Sequence, residues 1–166
     1  AGPGCTDRRI TSAADLLTLL RAEWPSHDVL VMAAAVADYR PAERLDGKLR
    51  RDHGPMTLEL VPTEDILSGL AGSRRADQYV VGFALERPDQ LETSARAKLA
   101  RKRADVIVAN PLATMDSETV DARLFWADGS ETGPGGACPK AAFAGWLADQ
   151  VLPRALERCG RAPASR

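Results

Sequence analysis

Residues 28–42 read DVLVMAAAVADYRPA, a stretch that is apolar from Val29 to Ala37 and turns polar at Asp38. An apolar run of this length is typical of a strand that is buried on both faces of a parallel sheet. Small residues at 33–35 would let a ligand approach the backbone closely at the end of the strand, where open α/β sheets bind ligands. The stretch therefore predicts a fully buried strand over 28–35 that ends at a ligand site.

Two more apolar runs, YVVGFA at 79–84 and DVIVA at 105–109, predict further buried strands. Helical periodicity lies between and around the strands. Because strands alternate with helices, we predict an α/β protein with a three-layer, mostly parallel sheet. The predicted helices cover 11–24, 63–70 with Thr63 as the N-cap, 89–103 and 140–157.

The remaining segments predict the margins of the sheet. Apolar and polar residues alternate over 57–61 and 121–127, which is typical of antiparallel strands at an edge or in a flap. Asp128-Gly129 predicts a hairpin turn. Residues 40–56 predict a long loop of the kind that is often functional, and 112–120 predict a polar loop.

Composition limits the class of protein. The chain has 166 residues, a net charge of −1 and 45% apolar residues, which predicts one domain over 1–158 followed by a disordered tail at 159–166. The balanced charge disfavours a nucleic-acid partner, and the lack of a long apolar run disfavours a membrane segment. Three unpaired cysteines fit a reducing cytoplasm, and two histidines are too few for a zinc cluster.

Polar or aromatic residues follow each buried strand. Asp38 could accept hydrogen bonds from a ribose or base or hold a metal, Phe83 offers a flat face to a base, and Asn110 could read a polar edge. Taken one at a time, these residues are equally typical of packing and turn capping. Because the carboxyl ends of parallel strands meet at one edge, together they favour a ligand site.

Lysine is scarce, with four lysines among the 22 basic residues. Lys98 and Lys102 share one face of a predicted helix, and Lys48 follows Gly47 in the long loop, so these three could build a polyphosphate site. A solvated basic face and a genome-wide preference for arginine explain the same pattern. The sequence contains neither a P-loop, nor G-x-G-x-x-G, nor a G-x-S-x-G nucleophile motif.

Several motifs taken together resemble the phosphopantothenate–cysteine ligase family, the C-terminal domain of the bacterial coenzyme A flavoprotein. The resemblance covers about residues 11–155. The motifs that carry it are AAAVADYRPA at 33–42, GKLRR at 47–51, TEDIL at 63–67, VGFA at 81–84, the pair Lys98 and Lys102, and Ala109-Asn110.

The resemblance implies a Rossmann-like fold, a homodimer and a ligase that uses CTP or ATP with Mg²⁺. It implies that Lys48, in a lysine-rich flap, is catalytic, and that Asn110 contacts substrate and Asp38 the metal. A flavoprotein decarboxylase, fused or separate, would be the partner, with no flavin on this chain. The nucleotide-binding residues implied are Ala33, Ala34, Asp38, Val61, Thr63, Glu64, Phe83, Lys98 and Lys102.

The implied chemistry activates a carboxylate. Its oxygen attacks the α-phosphate with loss of pyrophosphate, and the cysteine amine then displaces the nucleoside monophosphate from the acyl-nucleotide. Lysines and Mg²⁺ would stabilise the growing negative charge, and a closed flap would exclude water.

The chain also departs from the family pattern. The family's glycine-rich N-terminal part is expected to lie outside this sequence, and Arg50 and Arg51 replace flap lysines. Thr63-Glu64 replaces Asn-Pro, and the 116–120 loop lacks the usual Phe and Asn. Two alternatives therefore stay open: a non-catalytic nucleotide-binding or dimerisation module of the same fold, and a ligase for a different acid and amine.

Overall fold

The computed structural model describes residues 4–44, 47–48 and 54–161. Helices and strands alternate along most of the chain. The helices are α1 (Ala13–Glu23), α2 (Ile66–Leu70), α3 (Leu91–Lys102) and α4 (Lys140–Arg158). The strands are β1 (Val29–Met32), β2 (Tyr39–Pro41), β3 (Leu60–Pro62), β4 (Tyr79–Glu86), β5 (Val106–Pro111), β6 (Thr119–Val120), β7 (Arg123–Trp126), β8 (Glu131–Thr132) and β9 (Cys138–Pro139).

Over the described residues, the main sheet has the strand order β1-β4-β5-β7-β8. β1, β4 and β5 are parallel, while β7 and β8 are antiparallel additions. The Asp128-Gly129 hairpin is confirmed, because it joins β7 to β8 and Gly129 has a φ of +88°. The predicted α/β fold, a mostly parallel Rossmann-like sheet with antiparallel edge strands, is confirmed.

Helices cover both faces of the sheet. One apolar cluster contains side chains of α1, α2 and α3, such as Leu17, Leu67 and Leu99, together with Ile107 of β5. The other contains side chains of α4, such as Phe143 and Val151, packed on the opposite face. The fully buried centre of β4 and β5 separates the two clusters, which is the three-layer arrangement expected for a parallel sheet.

The prediction of a fully buried strand over 28–35 is wrong in two respects. The strand ends at Met32, so Ala33–Ala35 lie in the segment that follows it. Val31 is 54% exposed, and β1 is the edge strand of the described sheet. An edge strand carries the same local apolar pattern as a central one, so the run itself could not distinguish them.

Two smaller ribbons lie outside the main sheet. β2 pairs with β3, which confirms an antiparallel flap strand near 57–61 but places it at 60–62. The prediction of a polar loop over 112–120 is wrong at the end of that range, where β6 pairs with β9. Over the described residues, no helix is both long and apolar enough to cross a bilayer.

Candidate functional site

A cleft of about 580 Å³ opens at the carboxyl ends of β1 and β4, the edge at which parallel sheets bind ligands. Its volume lies in the range of small-molecule sites. The segment after β1, the segment before α2, the end of β4 and one face of α3 form its walls. The lining residues include Ala34, Ala37, Asp38, Thr63, Glu64, Asp65, Phe83, Lys98, Arg101 and Lys102.

The cleft brings together most of the predicted nucleotide-binding residues. Ala34, Asp38, Thr63, Glu64, Phe83, Lys98 and Lys102 all line it, although they are up to 68 positions apart in sequence. The convergence follows from topology, because β1 and β4 are parallel neighbours and α3 crosses back from the end of β4. Phe83 is half-buried at the wall, which leaves part of its ring accessible.

Other predicted residues lie outside the cleft wall. Ala33 lies between the lining residues Met32 and Ala34, and Val61 lies in the flap ribbon opposite Arg40. Lys48 is exposed in the connection between β2 and β3. Asn110 is half-buried in β5 beside Leu85. Arg50 and Arg51 of the predicted flap lie outside the described residues.

The base of the β2–β3 ribbon forms part of the cleft. The Thr63 backbone N–H donates to the Asp38 carbonyl at 2.8 Å, which continues the ribbon ladder into the wall. This bond occupies Thr63 in the ribbon, so the prediction that Thr63 caps α2 is wrong. Asp65 is the N-cap, and its carboxylate accepts from the Ser68 backbone N–H at 3.2 Å.

The basic wall of the cleft is the last part of α3. Lys98, Arg101 and Lys102 fall three and four positions apart, so they lie on one side of the helix. Arg101 was not among the predicted site residues, because in sequence it is one of several charges on a solvated helix. The same helix buries Leu91, Ala95 and Leu99 against the sheet, which fixes the direction in which the basic residues point.

Each lysine of this wall faces a carboxylate. Lys98 Nζ donates to Glu86 Oε1 at 2.5 Å, and Lys102 Nζ lies 3.5 Å from Asp65 Oδ1. Burial opposes ionisation of Glu86, but hydrogen bonds from Lys98 and Ser94 outweigh it and hold the pKa of the carboxyl below its usual value. The Glu86 carboxylate is therefore charged at neutral pH.

The pKa of the Asp65 carboxyl is lowered in the same way. Burial raises the pKa of Asp65, but hydrogen bonds from Ser68 and the charge of Lys102 lower it by more. The pKa of this carboxyl is therefore below its usual value. Glu64, its neighbour in the cleft wall, is bound on the other side by Arg21 of α1 at 2.5 Å. Neither the Asp65–Lys102 pair nor the Arg21–Glu64 pair could be assigned from sequence, because the two partners of each pair are distant along the chain.

The charges that line the cleft balance. The acidic side chains are Asp38, Glu64 and Asp65, and the basic ones are Lys98, Arg101 and Lys102. The basic residues all lie on α3, whereas the acidic ones lie on the ribbon base and before α2. A ligand with an anionic end and a polar uncharged end fits this separation, with the anion directed at α3.

The fold and this cleft define a Rossmann-like α/β domain with a ligand site at the strand ends. Comparison with known proteins identifies the family. The chain belongs to the DNA/pantothenate metabolism flavoprotein C-terminal domain family, whose model matches residues 2–154. The resemblance seen in the motifs at 33–42, 63–67 and 81–84 is thereby confirmed.

Individual relatives agree with this assignment. The coenzyme A biosynthesis bifunctional protein CoaBC of Bacillus subtilis is 40% identical over 124 residues, which are 72% of this chain and 30% of that protein. Its counterpart in Mycobacterium tuberculosis is 38% identical over 135 residues, 74% of this chain and 32% of that protein. The chain thus spans about a third of the length of these relatives.

A solved structure also matches. The crystal structure of the C-terminal domain of a CoaBC protein superposes with a TM-score of 0.69 at 28% sequence identity. The match covers 87% of this chain and 63% of that one.

Proposed function

We propose that this chain is the synthetase part of a nucleotide-dependent ligase that joins 4′-phosphopantothenate to cysteine in coenzyme A biosynthesis. The observation that carries the proposal is the cleft, in which Lys98, Arg101 and Lys102 face a single space at the strand ends. The relatives from Bacillus subtilis and Mycobacterium tuberculosis are coenzyme A biosynthesis proteins, which supports the pathway.

In this proposal the triphosphate of CTP or ATP lies along α3. Ammonium and guanidinium groups donate charge-assisted hydrogen bonds to phosphate oxygens, which are among the stronger polar interactions in proteins. The base lies toward Phe83, with the small residues Ala34 and Ala37 allowing close approach to the backbone. Ala33 and Val61 lie close to lining residues along the chain, and in this proposal they contact the nucleotide from outside the cleft wall.

The donor set suits Mg²⁺ that arrives with the nucleotide. Magnesium is usually bound by one or two carboxylates plus substrate phosphates. The described residues contain no cluster of three or more His, Cys, Asp or Glu side chains that could hold a metal. Asp38, an exposed carboxylate at the cleft, would contribute one oxygen. The bound ion would offset phosphate charge that the balanced cleft does not neutralise.

The reaction proceeds in two steps. A carboxylate oxygen of phosphopantothenate attacks the α-phosphorus, the bond to the β-phosphate oxygen breaks, and pyrophosphate leaves. The cysteine nitrogen then attacks the acyl carbon, loses a proton, and displaces the nucleoside monophosphate. Lys98 and Lys102 stabilise charge that grows on the phosphates, and Lys48, carried on the connection of the flap ribbon, acts at the reacting carboxylate.

The proposal is tested by titrating the chain with Mg·CTP and with Mg·ATP in a calorimeter. Lys98→Ala/Lys102→Ala should weaken binding by about 10- to 100-fold, because two charge-assisted contacts to phosphate are lost. Lys140→Ala is the matched control, since Lys140 is an exposed lysine at the start of α4, away from the cleft. Equal loss in both variants, or no binding by the unaltered chain, would refute the nucleotide site.

A further inference from the structure

Glu86 and Lys98 form an ion pair at the rim of the cleft. Glu86 is the last residue of β4, and Lys98 lies on the following helix, α3. The side chains are 17% and 25% exposed, so the pair is shielded from much of the solvent. Partial burial makes such a pair more persistent than an ordinary surface salt bridge.

The two partners have different positions relative to the cleft. Lys98 lines the cleft, whereas Glu86 lies outside the set of described residues that line it. The carboxylate therefore holds the ammonium from a position outside the cleft lining. Ser94, one helical turn before Lys98, also interacts with this carboxyl and helps to lower its pKa.

This arrangement matters because lysine is a flexible residue. Its ammonium is a point charge on a four-carbon stem with three donors, and ordering the stem on binding costs conformational entropy. One donor of Lys98 is used on Glu86 at 2.5 Å, which leaves two for a ligand in the cleft. The entropy of ordering is therefore lost before the ligand binds.

We propose that Glu86 is a positioning residue that orients Lys98 toward the phosphates of a bound nucleotide. The proposal rests on the proposed function, because it needs an anionic ligand at Lys98. It assigns Glu86 no contact with the nucleotide. A purely structural alternative is that the pair only ties the end of β4 to α3.

The test is a double-mutant cycle on nucleotide affinity. Glu86→Gln keeps the shape and an acceptor oxygen but removes the charge, and it should weaken Mg·CTP or Mg·ATP binding by about 3- to 10-fold. In a Lys98→Ala background the same change should alter the dissociation constant by less than about twofold, because no ammonium remains to be oriented. Glu92→Gln is the control, since Glu92 lies on α3 and pairs with Arg96 at 2.9 Å, outside the cleft wall.

The outcomes separate the inference from the proposed function. An unchanged affinity in Glu86→Gln, with Lys98→Ala clearly weakened, overturns the positioning role alone. A loss that is equally large with and without Lys98 also overturns it, because that loss reflects structure rather than orientation. Lys98→Ala that binds as tightly as the unaltered chain overturns both. Thermal unfolding of each variant establishes that the folded fraction is equal.

Discussion

Lys98 and Lys102 lie one turn apart on α3, but their carboxylate partners differ in position. Glu86 lies outside the cleft lining, whereas Asp65 lines the cleft and lies 3.5 Å from the Lys102 ammonium. A phosphate that binds Lys102 must therefore share the ammonium with Asp65. At the scale of the residue, Glu86 therefore assists an anionic ligand, whereas Asp65 competes with it.

We expect Asp65→Asn to tighten nucleotide binding by about two- to fivefold, because a negative charge is removed from the cleft. Asparagine is as good an N-cap as aspartate, so α2 should persist and the loss of stability should stay below about 1 kcal/mol. Asp65→Ala is the comparison, since it removes both charge and cap. Calorimetry and thermal unfolding measure the two effects, and weaker binding in Asp65→Asn would contradict the competition.

At the scale of the element, α2 approaches the sheet closely at a glycine. A Cβ at Gly82 of β4 would lie 2.7 Å from Ile107 Cδ1 and 3.4 Å from Leu67 Cδ1. Ile107 is fully buried in β5, and Leu67 belongs to α2. The glycine therefore leaves room for the Ile107 side chain and for close packing of Leu67 from the helix that Asp65 caps.

Gly82→Ala should lower the free energy of unfolding by about 1–3 kcal/mol, because the core around Ile107 must repack. Gly145→Ala offers the opposite control, since Gly145 is exposed in α4 with no neighbouring atom within 4 Å of an added Cβ. There alanine should stabilise by about 0.5–1 kcal/mol through helix propensity. Urea unfolding measures both, and a Gly82→Ala variant as stable as the unaltered chain would contradict the close packing.

At the scale of the whole molecule, local patterns predict the central strands but not their neighbours. The runs at 79–84 and 105–109 are buried on both faces, so their composition alone identifies them. Exposure of Val31 depends on which elements cover its face of the sheet, and the β6–β9 pair joins two-residue segments far apart in sequence. These features depend on tertiary contacts that periodicity does not record.

The residues of the candidate site also divide into those that the sequence predicts and those that depend on tertiary contacts. Asp38, Phe83 and Lys98 are predictable because the carboxyl ends of parallel strands meet at one edge. Asp65, Arg101 and Glu86 gain their roles only from distances to residues that lie elsewhere in the sequence, and by themselves they are ordinary surface charges. The catalytic role of Lys48 and the substrate contact of Asn110 stay predictions.

The end of the sheet opposite the cleft is tied together by one buried carboxylate. Asp105, 7% exposed, precedes β5 and accepts from the Val80 backbone N–H at 2.7 Å. It also pairs with Arg74 and, at 3.3 Å, with Arg158 at the end of α4. One side chain thus connects β4, β5, α4 and the segment before β4.

Asp105→Asn should destabilise the fold by about 2–4 kcal/mol, because the side chain of Arg74 is only 13% exposed and would keep a buried charge without its carboxylate. Asp77→Asn is the matched control: its partner is Arg75, its side chain is 54% exposed, and its loss should stay below about 1 kcal/mol. Urea unfolding at neutral pH compares them. Because the network and the cleft lie at opposite ends of the strands, the nucleotide affinity of folded Asp105→Asn should be unchanged. Equal stability of the Asp105→Asn and Asp77→Asn variants would show that the network does not hold the sheet to α4.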